Sequence, residues 1–315
     1  MIMNLLHTLY QVFLPISLPV IGGILLKRFR NLDSKPIATM SLYVLTPAIV
    51  FNTLLHADIS LNDIGTTISF SLLSLVLLWA IAIGMSRILQ LNKEEQAGLT
   101  LISTFTNCVN YGLPLVLLAF GQLGLDKASV YVIGQMIIVN TVGVFFAARS
   151  QFSVKQAGLA IFRLPAIYAT LIAVILRVTD IALPTALDSG FAMLAAAYSP
   201  VALVVLGTQM ISVDSTSATV TANQTTQSSN RAFWAGLSIR LLVAPLLSWL
   251  LLTWLQVEGI LFSVLLILTS MPTAVNAVIL AGQFNAAPKL VSRCILWTTL
   301  ASFILMPVLI VWLQS

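Results

Sequence analysis

Apolar runs long enough to cross a bilayer alternate with short polar breaks along the whole chain. A membrane core is spanned by about 20 mostly apolar residues in a helix. By that measure ten helices are predicted, near 5–27, 36–56, 64–89, 95–121, 128–149, 158–178, 187–211, 232–255, 259–283 and 289–313. Lipid offers no partner to a backbone amide and no barrel-like alternation is present, so every span is expected to be helical. The longest polar break, 212–230, is rich in Ser, Thr, Gln and Asn and nearly free of charge, which reads as a flexible cytoplasmic linker.

Composition agrees with the pattern. Of 315 residues, 59% are hydrophobic and 8% charged, and the mean hydropathy is +1.01. A soluble chain carries about 25% charge. So few charges cannot coat water-facing domains, which argues against a soluble enzyme, a disordered chain or a disulfide scaffold. Cys108 and Cys294 lie in or beside apolar runs without metal-type spacing, so no metal and no cofactor is expected. The net charge of +5 does not point to nucleic acid, because the basic cluster Lys27, Arg28, Arg30 and Lys35 abuts an apolar segment. The first segment lacks a basic leader and reads as a retained span rather than a signal peptide.

The positions of Lys and Arg set an orientation. With the N-terminus outside, Lys27, Arg28, Arg30, Lys35, Arg87, Lys93, Arg149, Lys155, Arg163, Arg231, Lys289 and Arg293 fall inside, against Lys127 and Arg177 outside. Both termini are then expected outside in a multi-pass protein of the plasma membrane, the inner membrane in a bacterium. The sequon at Asn223 would lie inside, where glycosylation is not expected.

Ten spans divide into five plus five. Because five is odd, the halves enter the membrane from opposite sides, the geometry of an inverted repeat. The halves are placed at 1–152 and 153–315. Pro15 and Pro165 each precede a base, Lys27 and Arg177, by twelve residues, and Gly121–Gln122 in the fourth span matches Gly282–Gln283 in the ninth.

The fourth span contains TFTNCVNYGLP, with Asn107, Asn110, Tyr111, Gly112 and Pro114 near the expected bilayer centre, and the ninth contains TSMPTAVNA, with Pro272, Thr273 and Asn276 at similar depth. Proline removes a donor and clashes with the preceding turn, and glycine weakens a helix. A simple proline kink is the plain alternative. Paired interruptions in both halves instead point to a transporter binding site at the midplane. Half-helices starting there would aim amide donors and positive dipole ends at an anion, and the Asn amides would orient a carboxylate.

Other polar residues lie within spans. Arg240, roughly 13 Å into the eighth span at the helical rise, is either a structural residue bonding carbonyls, a stabiliser of the crossing, or a tethered cation for the substrate. Gln135 and Asn140 in the fifth span are added to the candidate substrate-binding residues because that span follows the interrupted one. Asn52 and Gln209 read as interhelical hydrogen-bonding groups.

The strings TNCVNYGLPL and MPTAVNAVILA, in a ten-span chain of this length, resemble the auxin efflux carrier family. Its bacterial members are permeases for small organic acids such as malate and malonate, and its plant members export auxin. The resemblance implies scaffold and transport domains drawn from both halves, with two crossed, proline-broken helices in the latter. Carried over, the crossing prolines are Pro114 and Pro272 and the carboxylate-facing amide is Asn110. The chain departs from the plant carriers in having no long hydrophilic loop between the fifth and sixth spans, which argues against kinase-type regulation there.

The expected fold is thus an all-α integral membrane protein, and the expected function a secondary transporter of a small organic anion by alternating access. A sodium-coupled symporter or a channel of similar architecture is the alternative. An enzyme is not expected, since no HExxH, GxSxG or GxxxxGK[ST] string occurs. The expected partners are the anion and the lipid bilayer, with coupling to protons or membrane potential, and a homodimeric assembly.

Overall fold

The structure, a computed structural model, describes residues 7–56, 60–148, 165–218 and 227–314. In chain order its helices are α1 (Leu9–Arg30), α2 (Lys35–His56), α3 (Leu61–Ile88), α4 (Lys93–Thr104), α5 (Cys108–Ile138, continued by a π-turn at Val139–Gly143 and a helical turn at Val144–Ala148), α6 (Pro165–Val178), α7 (Thr185–Ala218), α8 (Asn230–Trp254), α9 (Gly259–Ser270), α10 (Asn276–Gln283) and α11 (Pro288–Gln314). Among the described residues, seven of these (α1, α2, α3, α5, α7, α8 and α11) are long and apolar enough to cross a membrane. Beyond the helices there is, among the described residues, one isolated antiparallel bridge, between Thr106 and Thr273.

Local sequence explains where several helices begin. Ser60 and Asp63 form a reciprocal cap on α3, with bonds of 3.0 and 3.1 Å, and Asn92 and Glu95 do the same for α4. In each case a short acceptor three residues before an acid satisfies amide donors that the helix cannot.

Prolines leave a second signature. Four of the five π-turns among the described residues occupy Leu9–Phe13, Ser41–Leu45, Cys108–Gly112 and Ile239–Val243; the fifth, Val139–Gly143, is not followed by a proline. Each of the four ends two residues before a proline: Pro15, Pro47, Pro114 and Pro245. A proline ring collides with the carbonyl four residues back and cannot bond to it. Widening the turn lets the residue before each proline donate five residues back instead, as Leu113 does to the Cys108 carbonyl and Ala244 to that of Ile239. The prolines therefore bulge these helices without ending them.

The most extensive contacts group the helices in two sets, which are joined where α7 meets α11. In one, α1 lies along α7 and α6 along α2. Backbones meet where α1 crosses α7: a Cβ on Gly23 would sit 2.2 Å from the Val204 carbonyl oxygen, and one on Gly207 would sit 2.0 Å from that of Val20. In the other, α3 packs on α4, α8 on α9, α5 on α9 and α11 on α10. Large apolar side chains such as Leu18, Ile175 and Ile304 face outward, as lipid-facing helices require.

Two features differ in detail from the expected spans. No extended loop separates the fourth from the fifth span; helix runs on either side of Gly121, which alone departs from it at φ 66° and ψ −159°. The polar stretch 212–230 is helical to Ala218 and again from Gln227, and the rest of it, with the Asn223 sequon, lies outside the described residues. The boundary between the halves at 152, the start of the sixth span, and Arg149, Lys155 and Arg163 also lie outside them.

Candidate functional site

Two interrupted helices meet at the centre of the second set. After α4 ends at Thr104, Phe105 is extended (φ −107°, ψ 122°) and Asn107 is non-helical before α5 starts at Cys108. After α9 ends at Ser270, Met271 is extended (ψ 151°) and α10 starts at Asn276. The breaks run antiparallel and bond to each other. The Asn107 amide donates to the Pro272 carbonyl at 2.8 Å, and the Ala274 amide donates to that of Phe105 at 2.9 Å. Buried backbone groups that lost their helical partners are thereby paired. The Thr273 amide donates to Oγ1 of Thr298 on α11 at 3.2 Å.

Arg240 completes the crossing. Its side chain is 0% exposed, and Nε donates to the Met271 carbonyl at 2.9 Å while Nη1 donates to that of Ser103 at 3.1 Å. Nη2 donates to the Thr269 carbonyl. One guanidinium thus joins the C-terminal ends of α4 and α9, where unpaired carbonyls concentrate negative partial charge. The π-turn ahead of Pro245 contains this arginine. All three bonds go to backbone carbonyls, the structural role named from sequence, and those carbonyls belong to the helix ends beside the crossing.

Beside the crossing lies a cavity of about 520 Å³. Its inner wall comes from Thr106, Asn107, Cys108 and Asn110 at the start of α5, from Gln135, and from Asn276 at the start of α10. The N-terminal ends of two half-helices therefore open into it, with their amide donors and positive dipole ends. Nδ2 of Asn107 and Oγ1 of Thr106 are buried without a hydrogen-bond partner. Unpaired buried polar groups are costly, and both residues line the cavity.

The candidate residues divide accordingly. Asn107, Asn110, Gln135 and Asn276 share the cavity. Pro272 and Thr273 build the crossing behind it. Tyr111 is fully buried against Phe303, with ring centroids 5.8 Å apart, and Gly112 allows α5 to approach α9, since a Cβ there would lie 2.7 Å from Leu268 Cδ2. Pro114 sits in the first turn after the π-turn, so the break in the fourth span is at Phe105–Asn107 and not at this proline. The backbone of Asn140 belongs to a π-turn, Val139–Gly143, and its side chain lies outside what the structure describes.

The opposite wall was not among the sequence candidates. Lys35 and Ser41 of α2 and Gln209 of α7 face the same cavity, and Oγ of Ser41 and Oε1 of Gln209 lack partners. Gln283, noted from sequence only for its Gly-Gln repeat, lines it too. Its counterpart Gln122 instead donates to Asp126 at 2.8 Å.

Comparison with known proteins gives the same direction. Residues 6–157 and 149–310 match the family model described as membrane transport protein. The chain is also 25% identical over 306 residues to an uncharacterized transporter of Methanothermobacter thermautotrophicus, covering 94% of this chain and 96% of that protein. With two interrupted helices at its centre and a family match over nearly its whole length, the chain belongs to the auxin efflux carrier-like family of membrane transport proteins.

Proposed function

We propose that this transporter is a secondary carrier that moves a small organic anion, a carboxylate, by alternating access. In this reading ten spans form a five-plus-five inverted repeat, with α4 plus the first part of α5 as the fourth span and α9 plus α10 as the ninth. Both termini face outward from a bacterial inner membrane. The observation that carries the reading is the pair of half-helix N-termini beside Asn107, Asn110 and Asn276 in one cavity. Such ends favour an anion without committing a full positive charge. An amide donor then hydrogen-bonds the carboxylate and remains tolerable when the site is empty.

The packing supports the repeat. Inverted symmetry equates α1 with α6 and α2 with α7, so the contact of α1 with α7 should recur as α6 with α2, and it does. Likewise the contact of α3 with α4 recurs as α8 with α9. The α1, α2, α6 and α7 set then serves as scaffold, and the set holding the crossing moves against it.

Counterflow of labelled carboxylates in proteoliposomes, with wild type and Asn110→Ala side by side, tests the proposal. Exchange by wild type that falls at least tenfold in the variant is expected. Conductance without counterflow would show a channel, and uptake that requires sodium would show a symporter.

A further inference from the structure

The cavity wall opposite the crossing carries one full charge. Lys35 is the one Lys, Arg, Asp or Glu among the described lining residues, and its side chain is exposed at the start of α2. The ion pairs among the described residues are Lys127–Asp63 at 2.8 Å and His56–Asp188 at 3.3 Å, so Lys35 belongs to neither. The nearest acid in sequence, Asp33, is engaged as the helix cap, its carboxylate accepting the Lys35 backbone amide at 3.0 Å. The ammonium group is thus left for a ligand.

Its place in the cavity gives it a direction. The cavity lining includes Asn107 at the crossing, Gln209 of α7, Lys35 at the start of α2 and Gln283 at the end of α10. Lys35 begins α2 just after the C-terminal end of α1, which carries Lys27, Arg28 and Arg30, and Gln283 ends α10 just before Lys289 in the first turn of α11. The exposed Lys35 therefore places the basic helix ends, a basic face, at an accessible part of the cavity lining. An anion entering from that face meets Lys35 before it meets the half-helix ends. A cation at a low-dielectric mouth concentrates anions and speeds their entry, an effect that salt weakens.

Resting on the carboxylate reading, we propose that Lys35 is the capture residue of this carrier. It draws the substrate anion into the cavity from the basic face and holds it at the mouth until the Asn107 and Asn110 amides take it over. It acts on entry and selects for negative charge; the crossing supplies the seat.

The test is counterflow with labelled acetate, succinate and benzoate in proteoliposomes at low and high salt, comparing wild type with Lys35→Gln, Lys35→Arg and Lys27→Gln. Lys27 is in the same basic face but outside the cavity lining. For Lys35→Gln, KM at low salt is expected to rise about five- to tenfold with kcat within twofold. Lys35→Arg should restore wild-type KM, Lys27→Gln should leave it within twofold, and the variants should converge with wild type at about 0.5 M salt. An unchanged KM in Lys35→Gln overturns the inference, as does an equal rise in Lys27→Gln, which would make the effect one of general surface charge. If wild type exchanges none of the three anions, the carboxylate reading fails and this inference with it. If wild type exchanges them and Lys35→Gln does so with the same KM, only the capture role fails.

Discussion

Asn107 meets Pro272 through its backbone and leaves its side chain over: its amide N–H donates to the Pro272 carbonyl at 2.8 Å, while Nδ2 of the same residue is buried without a partner. Backbone and side chain are thereby separated within one residue, the first bonding across the crossing and the second lining the cavity. Asn107→Ala keeps the crossing bond and removes the donor that faces the cavity. A hydrogen bond to a charged group contributes about 1.5–3 kcal/mol, so KM for a transported carboxylate is expected to rise about 10- to 100-fold. The melting temperature of the purified protein should stay near that of wild type. A large fall in melting temperature with unchanged KM would make the side chain structural.

Arg240 should behave in the opposite way. Leucine at this position leaves the Ser103, Thr269 and Met271 carbonyls without their donors in a fully buried place. Removing one member of a buried charged arrangement costs about 3–5 kcal/mol. Lysine keeps the charge, but its single ammonium cannot reproduce the fork that reaches two helix ends at once. Melting temperatures are therefore expected in the order wild type, Arg240→Lys, Arg240→Leu, with transport per folded molecule losing kcat as the crossing loosens. Should Arg240→Lys melt like wild type and instead show a raised KM, the arginine belongs to substrate binding.

The α1–α7 contact depends on glycines that neighbouring glycines do not imitate. A Cβ on Gly23 or Gly207 would lie within 2.2 Å of a backbone carbonyl oxygen, whereas one on Gly22 would meet nothing within 4 Å. Gly23→Ala and Gly207→Ala are expected to push the helices apart, at about 1–3 kcal/mol each. Gly22→Ala should be neutral or slightly stabilising because it lowers the entropy of the unfolded chain. Thermal unfolding of the three variants in the same detergent checks this. Equal melting temperatures would mean that α1 and α7 do not touch as described.

Hydrophobic runs made the helices legible, because spanning length and apolar content are local properties of the sequence. The position of the interruption in the fourth span was not legible from its glycine and proline. Gly112 and Pro114 look like breakers, yet the helix restarts at Cys108 and a π-turn absorbs the proline. Phe105–Asn107 contains neither residue type, and its extended form is imposed by partners distant in sequence, the Pro272 carbonyl, the Ala274 amide and Arg240 through Ser103. In the ninth span the signal was direct, since Pro272 lies within the break itself. Asn107, Asn110 and Asn276 could be picked out because amides clustered beside breakers. Ser41, Gln209 and Lys35 could not, being single polar positions on separate helices that only packing brings to one cavity.

Gly121 offers the sharpest test of how the fourth span passes into the fifth. Its φ of 66° and ψ of −159° lie in a region that is open essentially to glycine alone, because a Cβ there collides with the residue's own backbone. Surroundings play no part: a Cβ at this position would meet no other group within 4 Å. Alanine must therefore carry the strain, about 1–3 kcal/mol, or relax toward helix. Relaxation would straighten the chain between Phe120 and Gln122 and pull Asn110 on one side against Gln135 on the other, two residues that share the cavity. Gly121→Ala is expected to lower both melting temperature and kcat. Gly134→Ala, at a helical position with equal space, should stabilise by about 0.5–1 kcal/mol and leave transport unchanged. If both alanines behave alike, Gly121 is not the turn between the two spans, and Leu113–Ile138 is one uninterrupted helix.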